Sequence, residues 1–191
     1  APGARQEGRR EREQDARAKR AHARETALVD GVGVDLSRFA APVDRAAVRA
    51  GLGLAPADRV VITVGEHIPR KNHLACIEAV ARLTNVVLLF CGVGEQDALL
   101  RERAKALGVE SRVRFLGFRR DVAALLGASD AFLFPSFQEG LPVSLMEAMA
   151  AGLPCVASRV RGSSDLLADG RGGALCPPTD VAGLADGLRT I

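Results

Sequence analysis

Six short apolar runs, each followed by a helical stretch, most constrain how this 191-residue chain can fold. Within the runs the apolar residues do not alternate with polar ones, which is typical of strands buried on both faces. The runs are RVVITVG (59–65), NVVLLFCGVG (85–94), RVRFLG (112–117), DAFLFPS (130–136), LPCVAS (153–158) and GALC (173–176). Helical stretches of about ten residues separate them. The pattern therefore predicts an α/β chain with a Rossmann-like, doubly wound parallel sheet.

The start of the chain differs from the rest in charge. Residues 1–25 carry eight Arg and Lys against five Asp and Glu, whereas residues 26–191 carry eighteen of each. The neutral body and the scarcity of aromatic residues argue against a nucleic-acid partner. We interpret residues 1–30 as a polar helical approach, with a solvated surface as the simplest role for its charge, and residues 31–191 as the domain itself.

Cysteine spacing and hydropathy exclude several classes of protein. Cys76, Cys91, Cys155 and Cys176 follow no zinc or disulfide spacing, so no metal site is expected. Cys91 and Cys155 lie in apolar surroundings and are expected to be small buried residues. No apolar run approaches the roughly 18 residues that span a bilayer, and no signal peptide is recognisable. The sequence thus indicates a cytoplasmic protein.

The carboxyl ends of the predicted strands are where a ligand is expected in such a sheet. Lys71 lies in GEHIPRKNH after the first strand, at the mouth of a helix that begins near Asn72. There a diphosphate would meet both the ammonium group and free helix N–H groups, although a lone lysine is more often an ordinary surface residue. The turn CGVG is an incomplete dinucleotide fingerprint and carries little weight.

The stretch SFQEGLPVSLMEAMAAGLPCVAS (136–158) is more specific. Glu139 lies in the loop, and Glu147 lies in a helix that begins at Pro142 or Val143, from which it could point back towards the strand ends. The two carboxylates could accept hydrogen bonds from sugar hydroxyls, while the amides of residues 140 and 141 face an anion. The residues alone leave two alternatives open, a helix-capping Glu139 and an exposed-face Glu147.

Taken together, these motifs resemble a known family. EGLPVSLMEAMAAGLPCVAS closely resembles the E-x7-E signature of GT-B retaining glycosyltransferases, and GVGVDLSRF, VGEHIPRKNH, FCGVGE, RVRFLGFRRDV and SRVRGSSDLL occur in the family's order. The motif variants look most like bacterial capsular or exopolysaccharide glycosyltransferases. The resemblance implies the C-terminal, donor-binding half of a GT-B fold.

The resemblance also implies roles for individual residues. Glu147 would hold the ribose hydroxyls of the donor nucleotide, and Glu139 would contact and orient the donor sugar. The amides of Gly140 and Leu141 would lie near that sugar. Lys71 would neutralise the diphosphate leaving group. The implied mechanism retains the anomeric configuration and needs no metal or other cofactor.

Further donor-binding candidates follow from the same resemblance. The loop after the third strand would lie near the base, with Phe118 and Arg119 as candidate contacts. Gly65 ends the first strand, and many family members carry arginine directly after it, where this chain has Glu66. Arg70 could supply part of the positive charge that is missing there, although the sequence is equally compatible with Arg70 as an ordinary surface residue.

The implied activity is transfer of a hexosyl unit from a nucleotide-diphosphate sugar, expected to be a UDP-sugar, in cell-surface polysaccharide synthesis. A complete enzyme of this family has two domains, so we expect this chain to hold only the second and residues 1–30 to be the stub and crossover from a missing N-terminal domain. A glycan or lipid-linked acceptor would bind through that domain, with peripheral membrane association of the full-length enzyme at the inner face of the cell membrane. The alternative is a non-catalytic nucleotide-binding or regulatory module that keeps the half-fold.

Overall fold

The structure, a computed structural model, describes residues 33–191. The predicted polar helix and crossover of residues 1–30 lie outside the described residues. The strands are β1 (Arg59–Val64), β2 (Val86–Cys91), β3 (Val113–Phe115), β4 (Ala131–Phe134), β5 (Cys155–Ser158) and β6 (Ala174–Cys176). The α-helices are α1 (Ser37–Ala40), α2 (Arg45–Gly51), α3 (His73–Ala81), α4 (Asp97–Ala106), α5 (Val122–Ala128), α6 (Val143–Ala150), α7 (Arg161–Leu166) and α8 (Val181–Thr190). Short 3-10 turns cover Pro69–Lys71, Glu110–Arg112 and Ala168–Gly170.

The six strands form one parallel sheet in the order β3-β2-β1-β4-β5-β6. This order is that of a doubly wound sheet, so the predicted fold class is confirmed. The order reverses between β1 and β4, which pair through Val61 with Ala131 and Ile62 with Phe132. The loops that leave these two strands diverge, and a crevice opens between them at the carboxyl edge of the sheet.

Both faces of the sheet are covered by helices, which explains why the strands are apolar throughout. Val61, Leu88 and Phe90 point to the face that α3, α4 and α8 cover. Ile62 and Phe132 point to the opposite face, against α5 and α6. A strand buried on two sides has no solvent-facing residues, so its sequence loses the polar alternation of a half-exposed strand.

An ionic cluster fixes α2 to the edge of the sheet opposite the crevice. Asp130, directly before β4, accepts hydrogen bonds from Arg45 NH2 (2.6 Å), Arg49 NH2 (2.7 Å) and the amide of Val60 (2.7 Å). Arg49 is buried and also donates through Nε to the carbonyl of Ala128 (2.9 Å). The cluster is structural and leaves the carboxyl edge of the sheet free for ligands.

Near the crevice, α3 begins at His73, next to the predicted Asn72, and α6 begins at Val143, one of the two predicted starts. Asn72 adopts a left-handed conformation (φ 54°) between a 3-10 turn and α3, so the chain bends before the helix begins. Pro142 is the N-cap of α6 rather than its first helical residue. Cys91 and Cys155 are buried free thiols, as predicted. Within residues 33–191, none of the helices combines the length and hydrophobicity that a membrane crossing requires.

Candidate functional site

The loop that follows β1 is held tightly against the end of β2. The amide of His67 donates to the carbonyl of Val93 (3.0 Å). A Cβ at Gly92 would lie 1.9 Å from the carbonyl oxygen of Gly65, and one at Gly94 would lie 2.4 Å from that of His67. Only glycine permits so close an approach of two backbones. The glycines of the CGVG turn therefore shape the β1 loop through backbone packing.

Hydrogen bonds join the loop after β1 to the loop after β4 and to Pro178, which follows β6. The side-chain amide of Asn72 donates to the carbonyls of Pro135 (3.0 Å) and Pro178 (2.8 Å). The amide of Phe137 donates to the carbonyl of Arg70 (2.9 Å). These contacts set the position of the 3-10 turn Pro69–Lys71 relative to the β4 loop.

Glu139 lies in a cluster of polar side chains inside the crevice. Its Oε1 atom lies 2.7 Å from Lys71 Nζ, 3.1 Å from Arg70 NH1 and 2.7 Å from Ser136 Oγ. The side chain of Glu139 is 7% exposed and that of Lys71 is 14% exposed, so solvent screens their attraction less than that of a surface pair. Helix α6 has no side-chain cap, so the capping alternative for Glu139 is wrong.

Lys71 is also bounded by apolar surface. Its ammonium nitrogen lies 5.1 Å from the centroid of the Phe134 ring. Gly65 lies against its stem, because a Cβ there would be 3.7 Å from Lys71 Cε. The charged end of Lys71 is therefore directed towards Glu139 by the walls of the crevice.

Arg70 contributes a second cation to the same crevice. Its NH1 group donates to the carbonyl of Gln138 (2.8 Å) as well as to Glu139, and its side chain is about half exposed. Glu66, directly after Gly65, is exposed. The structure thus places Arg70 beside Lys71, where a second positive charge was expected.

The turn between Glu139 and α6 is pressed against the start of α7. A Cβ at Gly162 would lie 2.4 Å from the carbonyl oxygen of Gly140 and 2.9 Å from Pro142 Cδ. The amides of Gly140 and Leu141 have no hydrogen-bond acceptor within the described residues. Both residues are exposed.

Glu147 is shielded, and its carboxylate has a partner from a distant part of the chain. Its side chain is 13% exposed, so the exposed-face alternative is wrong. Arg38 NH1, on α1, lies 3.3 Å from Glu147 Oε1. The charge of Glu147 also acts on Cys91, whose pKa is raised by burial first and further by the charges of Asp121 and Glu147. Glu147 therefore lies near the carboxyl end of β2.

The loop after β3 presents Phe118 and Arg119. Phe118 is 74% exposed. Arg119 donates through Nε and NH2 to the two oxygens of Asp121 (2.7 and 2.6 Å), which raises the pKa of Arg119 and lowers that of Asp121. Arg119 also acts on the Cys91 thiol. The loop thus borders the same strand end as Glu147.

Comparison with known proteins identifies the family. The sequence model for glycosyl transferases group 1 matches residues 44–191. The chain belongs to this family. The residues of the group 1 domain gathered at the β1–β4 crevice are Gly65, Arg70, Lys71 and Glu139, with Gly140 and Leu141 at its rim. Glu147 and Arg119 lie around the end of β2, with Phe118 beside Arg119.

Relatives of this glycosyltransferase domain include named bacterial enzymes. The Rhizobium meliloti lipopolysaccharide core biosynthesis glycosyltransferase LpsE is 38% identical over 137 residues, which are 71% of this chain and 40% of LpsE. An Escherichia coli UDP-Gal:alpha-D-GlcNAc-diphosphoundecaprenol alpha-1,3-galactosyltransferase is 31% identical over 167 residues, 83% of this chain and 43% of that enzyme. The chain thus spans less than half the length of these relatives.

Solved structures of glycosyltransferases share the fold. Anabaena Alr3699/HepE in complex with UDP and glucose aligns with a TM-score of 0.78 at 32% identity, over 83% of this chain and 45% of HepE. WaaG, a glycosyltransferase involved in lipopolysaccharide biosynthesis, aligns with a TM-score of 0.75 at 30% identity, over the same shares of each chain. The predicted C-terminal half of a GT-B fold is confirmed.

Sequence reasoning missed three residues of the candidate site. Ser136 is fully buried with its hydroxyl against Glu139, and the only signal was its place at the end of the fourth apolar run. Gly162 fixes the Glu139 turn from a separate motif. Arg38 reaches Glu147 across 109 residues of sequence, a distance over which no local pattern gives a signal.

Proposed function

We propose that the chain is the donor-binding half of a retaining glycosyltransferase of the E-x7-E type. It would transfer a hexosyl unit from a UDP-sugar to a glycan or lipid-linked acceptor in cell-surface polysaccharide synthesis. The observation that carries this proposal is the crevice between β1 and β4, where Lys71 and Arg70 meet Glu139. The names of LpsE and of the E. coli galactosyltransferase, and the UDP in the HepE crystals, support it.

In this proposal, catalysis comes mainly from compensating the negative charge of the leaving group. Departure of the nucleotide diphosphate builds negative charge on its terminal phosphate. Lys71 and Arg70 stand at that point as fixed cations, and the amides of Gly140 and Leu141 add two donors. Both cations already lie in the crevice, so binding requires only that the diphosphate replace Glu139 as the partner of Lys71. In this mechanism the leaving phosphate helps to deprotonate the acceptor hydroxyl.

The two glutamates have separate roles in the proposal. A diphosphate competes with Glu139 for Lys71, so Glu139 becomes available to accept a hydrogen bond from a donor-sugar hydroxyl. Glu147 accepts hydrogen bonds from the ribose hydroxyls. The exposed ring of Phe118 could stack on the base. The guanidinium N–H groups of Arg119 that do not bind Asp121 could donate hydrogen bonds to it. Gly65 keeps the floor of the crevice free of a side chain next to Lys71.

The cations in the crevice also support a mechanism without a metal or other cofactor. Lys71 and Arg70 supply the positive charge that a divalent ion would otherwise bring to a diphosphate. Addition of EDTA is expected to leave the transfer rate of the full-length enzyme unchanged.

The acceptor is assigned to the part of the full-length enzyme that this chain does not span, since the chain covers about 40% of its relatives. We place the enzyme in the cytoplasm, with peripheral contact to the inner face of the membrane where a lipid-linked acceptor would be reached. Residues 31–191 would then be the nucleotide-sugar domain.

Calorimetric titration of the chain with UDP, GDP and ADP tests the nucleotide assignment. UDP is expected to bind selectively, and Glu147→Ala is expected to weaken it about 10-fold or more, because a hydrogen bond to a charged group contributes about 1.5–3 kcal/mol. Glu102→Ala, at an exposed position of α4, is the matched control and should leave UDP binding unchanged. Absence of UDP binding would overturn the proposal.

Transfer itself needs a second experiment with the full-length enzyme. NMR of the product, formed from an α-linked UDP-sugar, should show the α configuration at the new bond. Binding of UDP with neither transfer nor hydrolysis of any UDP-sugar would favour the non-catalytic module instead.

A further inference from the structure

We propose that Arg38 is a positioning residue that holds the carboxylate of Glu147 ready for the ribose hydroxyls. The inference rests on the proposed nucleotide function and extends it to a part of the chain far from the two strand loops. It starts from one contact, in which Arg38 NH1 lies 3.3 Å from Glu147 Oε1 across 109 residues of sequence.

Arg38 is presented by an anchored turn. Asp35 accepts hydrogen bonds from the amide (3.0 Å) and the hydroxyl (2.7 Å) of Ser37, which fixes the start of α1. Phe39, next along the turn, is partly buried against the core beneath α5 and α6. The guanidinium group therefore extends from a fixed base, although the side chain of Arg38 is itself 49% exposed.

Glu147 needs such a partner because its surroundings give its carboxylate little else to bind. Leu145 and Ala148 are buried on the same helix, and Arg38 is the one side-chain donor to the carboxylate within the described residues. A glutamate has three rotatable side-chain bonds, and a ligand that must order them loses affinity. The contact with Arg38 orders the carboxylate before the nucleotide arrives.

The contact with Arg38 leaves hydrogen-bond acceptor positions on Glu147 for the ribose. Arg38 contacts only Oε1, and a carboxylate has about four lone-pair positions on its two oxygens. Oε2 and the second lone pair of Oε1 therefore stay available for the two hydroxyls of a ribose diol. Arg38 and the ribose can accordingly bind Glu147 at the same time. Arg38 would then position the carboxylate and would not compete with the ribose for it.

The test compares UDP with its 2′,3′-dideoxy analogue by calorimetry on the 191-residue chain. Arg38→Ala is expected to weaken UDP about 3- to 10-fold and to leave the dideoxy analogue unchanged, since the analogue lacks the hydroxyls that Glu147 binds. Arg38→Lys should restore part of the affinity. In the Glu147→Ala background, Arg38→Ala should have no further effect, because its only route to the ligand has been removed.

Arg103→Ala is the matched control. Arg103 is similarly exposed and pairs with Glu78 (2.6 Å), but it lies on α4, on the other face of the sheet. This variant removes the same charge and should not change UDP affinity. Thermal melting of each variant confirms that the domain is folded.

Several outcomes would overturn the inference. A rise in UDP affinity in Arg38→Ala would make Arg38 a competitor of the ribose. Equal losses for UDP and the dideoxy analogue, or a loss that persists without Glu147, would mean that Arg38 acts on the diphosphate or on the fold. If UDP binding depends on Glu147 and not on Arg38, this inference alone fails. If the unmodified chain binds no UDP, the proposed function fails, and the inference fails with it.

Discussion

The ammonium nitrogen of Lys71 lies 2.7 Å from Oε1 of Glu139, across 68 residues of sequence. The two side chains come from the loops after β1 and β4, the strands between which the order of the sheet reverses. Both are shielded from solvent, so the pair interacts in a medium less polar than water. The same lysine is therefore part of the folded state and, in the proposed function, the partner of the diphosphate.

Lys71→Ala should separate diphosphate binding from ribose binding. UDP affinity is expected to fall about 10- to 100-fold, since a charged hydrogen-bond donor to a phosphate is lost. Uridine, which has no phosphate, should keep its affinity. Calorimetry with both ligands gives the answer, and equal losses for the two would show that Lys71 does not contact the diphosphate.

The same substitution should destabilise the domain. It leaves Glu139 shielded with only Arg70 and Ser136 near its carboxylate, so the free energy of unfolding should fall by about 1–3 kcal/mol. In Lys71→Ala combined with Glu139→Gln, stability should largely return because the uncompensated charge is gone, whereas UDP affinity should stay low. Urea denaturation measures the first quantity. If the double variant were as unstable as Lys71→Ala, the loss of stability would not come from the unpaired charge of Glu139.

Gly162→Ala should displace the Glu139 turn. The added methyl group would lie 2.4 Å from the carbonyl oxygen of Gly140, and backbone on both sides leaves little room to adjust. UDP-sugar affinity is expected to fall several-fold, because the free amides and Glu139 move together. Gly51→Ala is the control, since a methyl group there meets nothing within 4 Å at the end of α2. Unchanged binding in Gly162→Ala would show that the turn does not contact the donor.

The strands were predictable because a parallel sheet covered on both faces demands continuous apolar runs, and this demand is local. Lys71, Glu139 and Glu147 were predictable as residues near strand ends. Their contacts were not, because Lys71–Glu139 and Arg38–Glu147 depend on how distant segments come together. The CGVG glycines illustrate the same limit. Their spacing suggested an incomplete phosphate loop, but the structure shows that they permit close packing of two backbones.

His73 should make the domain less stable as the pH falls below about 6.5. Burial, with the charges of His67 and Lys71, lowers the pKa of His73 from 6.5 to about 3. Between these values the unfolded chain binds a proton that the folded domain does not, so unfolding is favoured as the pH falls. The contribution reaches about 2 kcal/mol at pH 5. Urea titrations at pH 5–8 give the free energy of unfolding as a function of pH. His73→Gln should reduce the slope of that dependence, whereas an unchanged slope would contradict a neutral buried His73.

Asp130 should contribute stability without affecting nucleotide binding. Burial raises its pKa, but hydrogen bonds from Val60 and Arg49 outweigh burial and hold that pKa below the usual 3.8. The stabilisation is therefore fully present above about pH 5 and is lost as the pH falls through the lowered folded-state pKa. Asp130→Asn should lower the free energy of unfolding by about 1–2 kcal/mol at pH 7, with UDP affinity unchanged.

The difference between Asp130→Asn and the unmodified chain should shrink below about pH 4, where Asp130 begins to be protonated in the unfolded chain. Guanidinium titrations at several pH values measure this difference. A difference that stays constant down to pH 3 would show that the cost of the substitution comes from packing and not from the charge. A loss of UDP affinity would show that this edge of the sheet is coupled to the crevice, because Asp130 lies at the opposite end of β4 from the Glu139 loop.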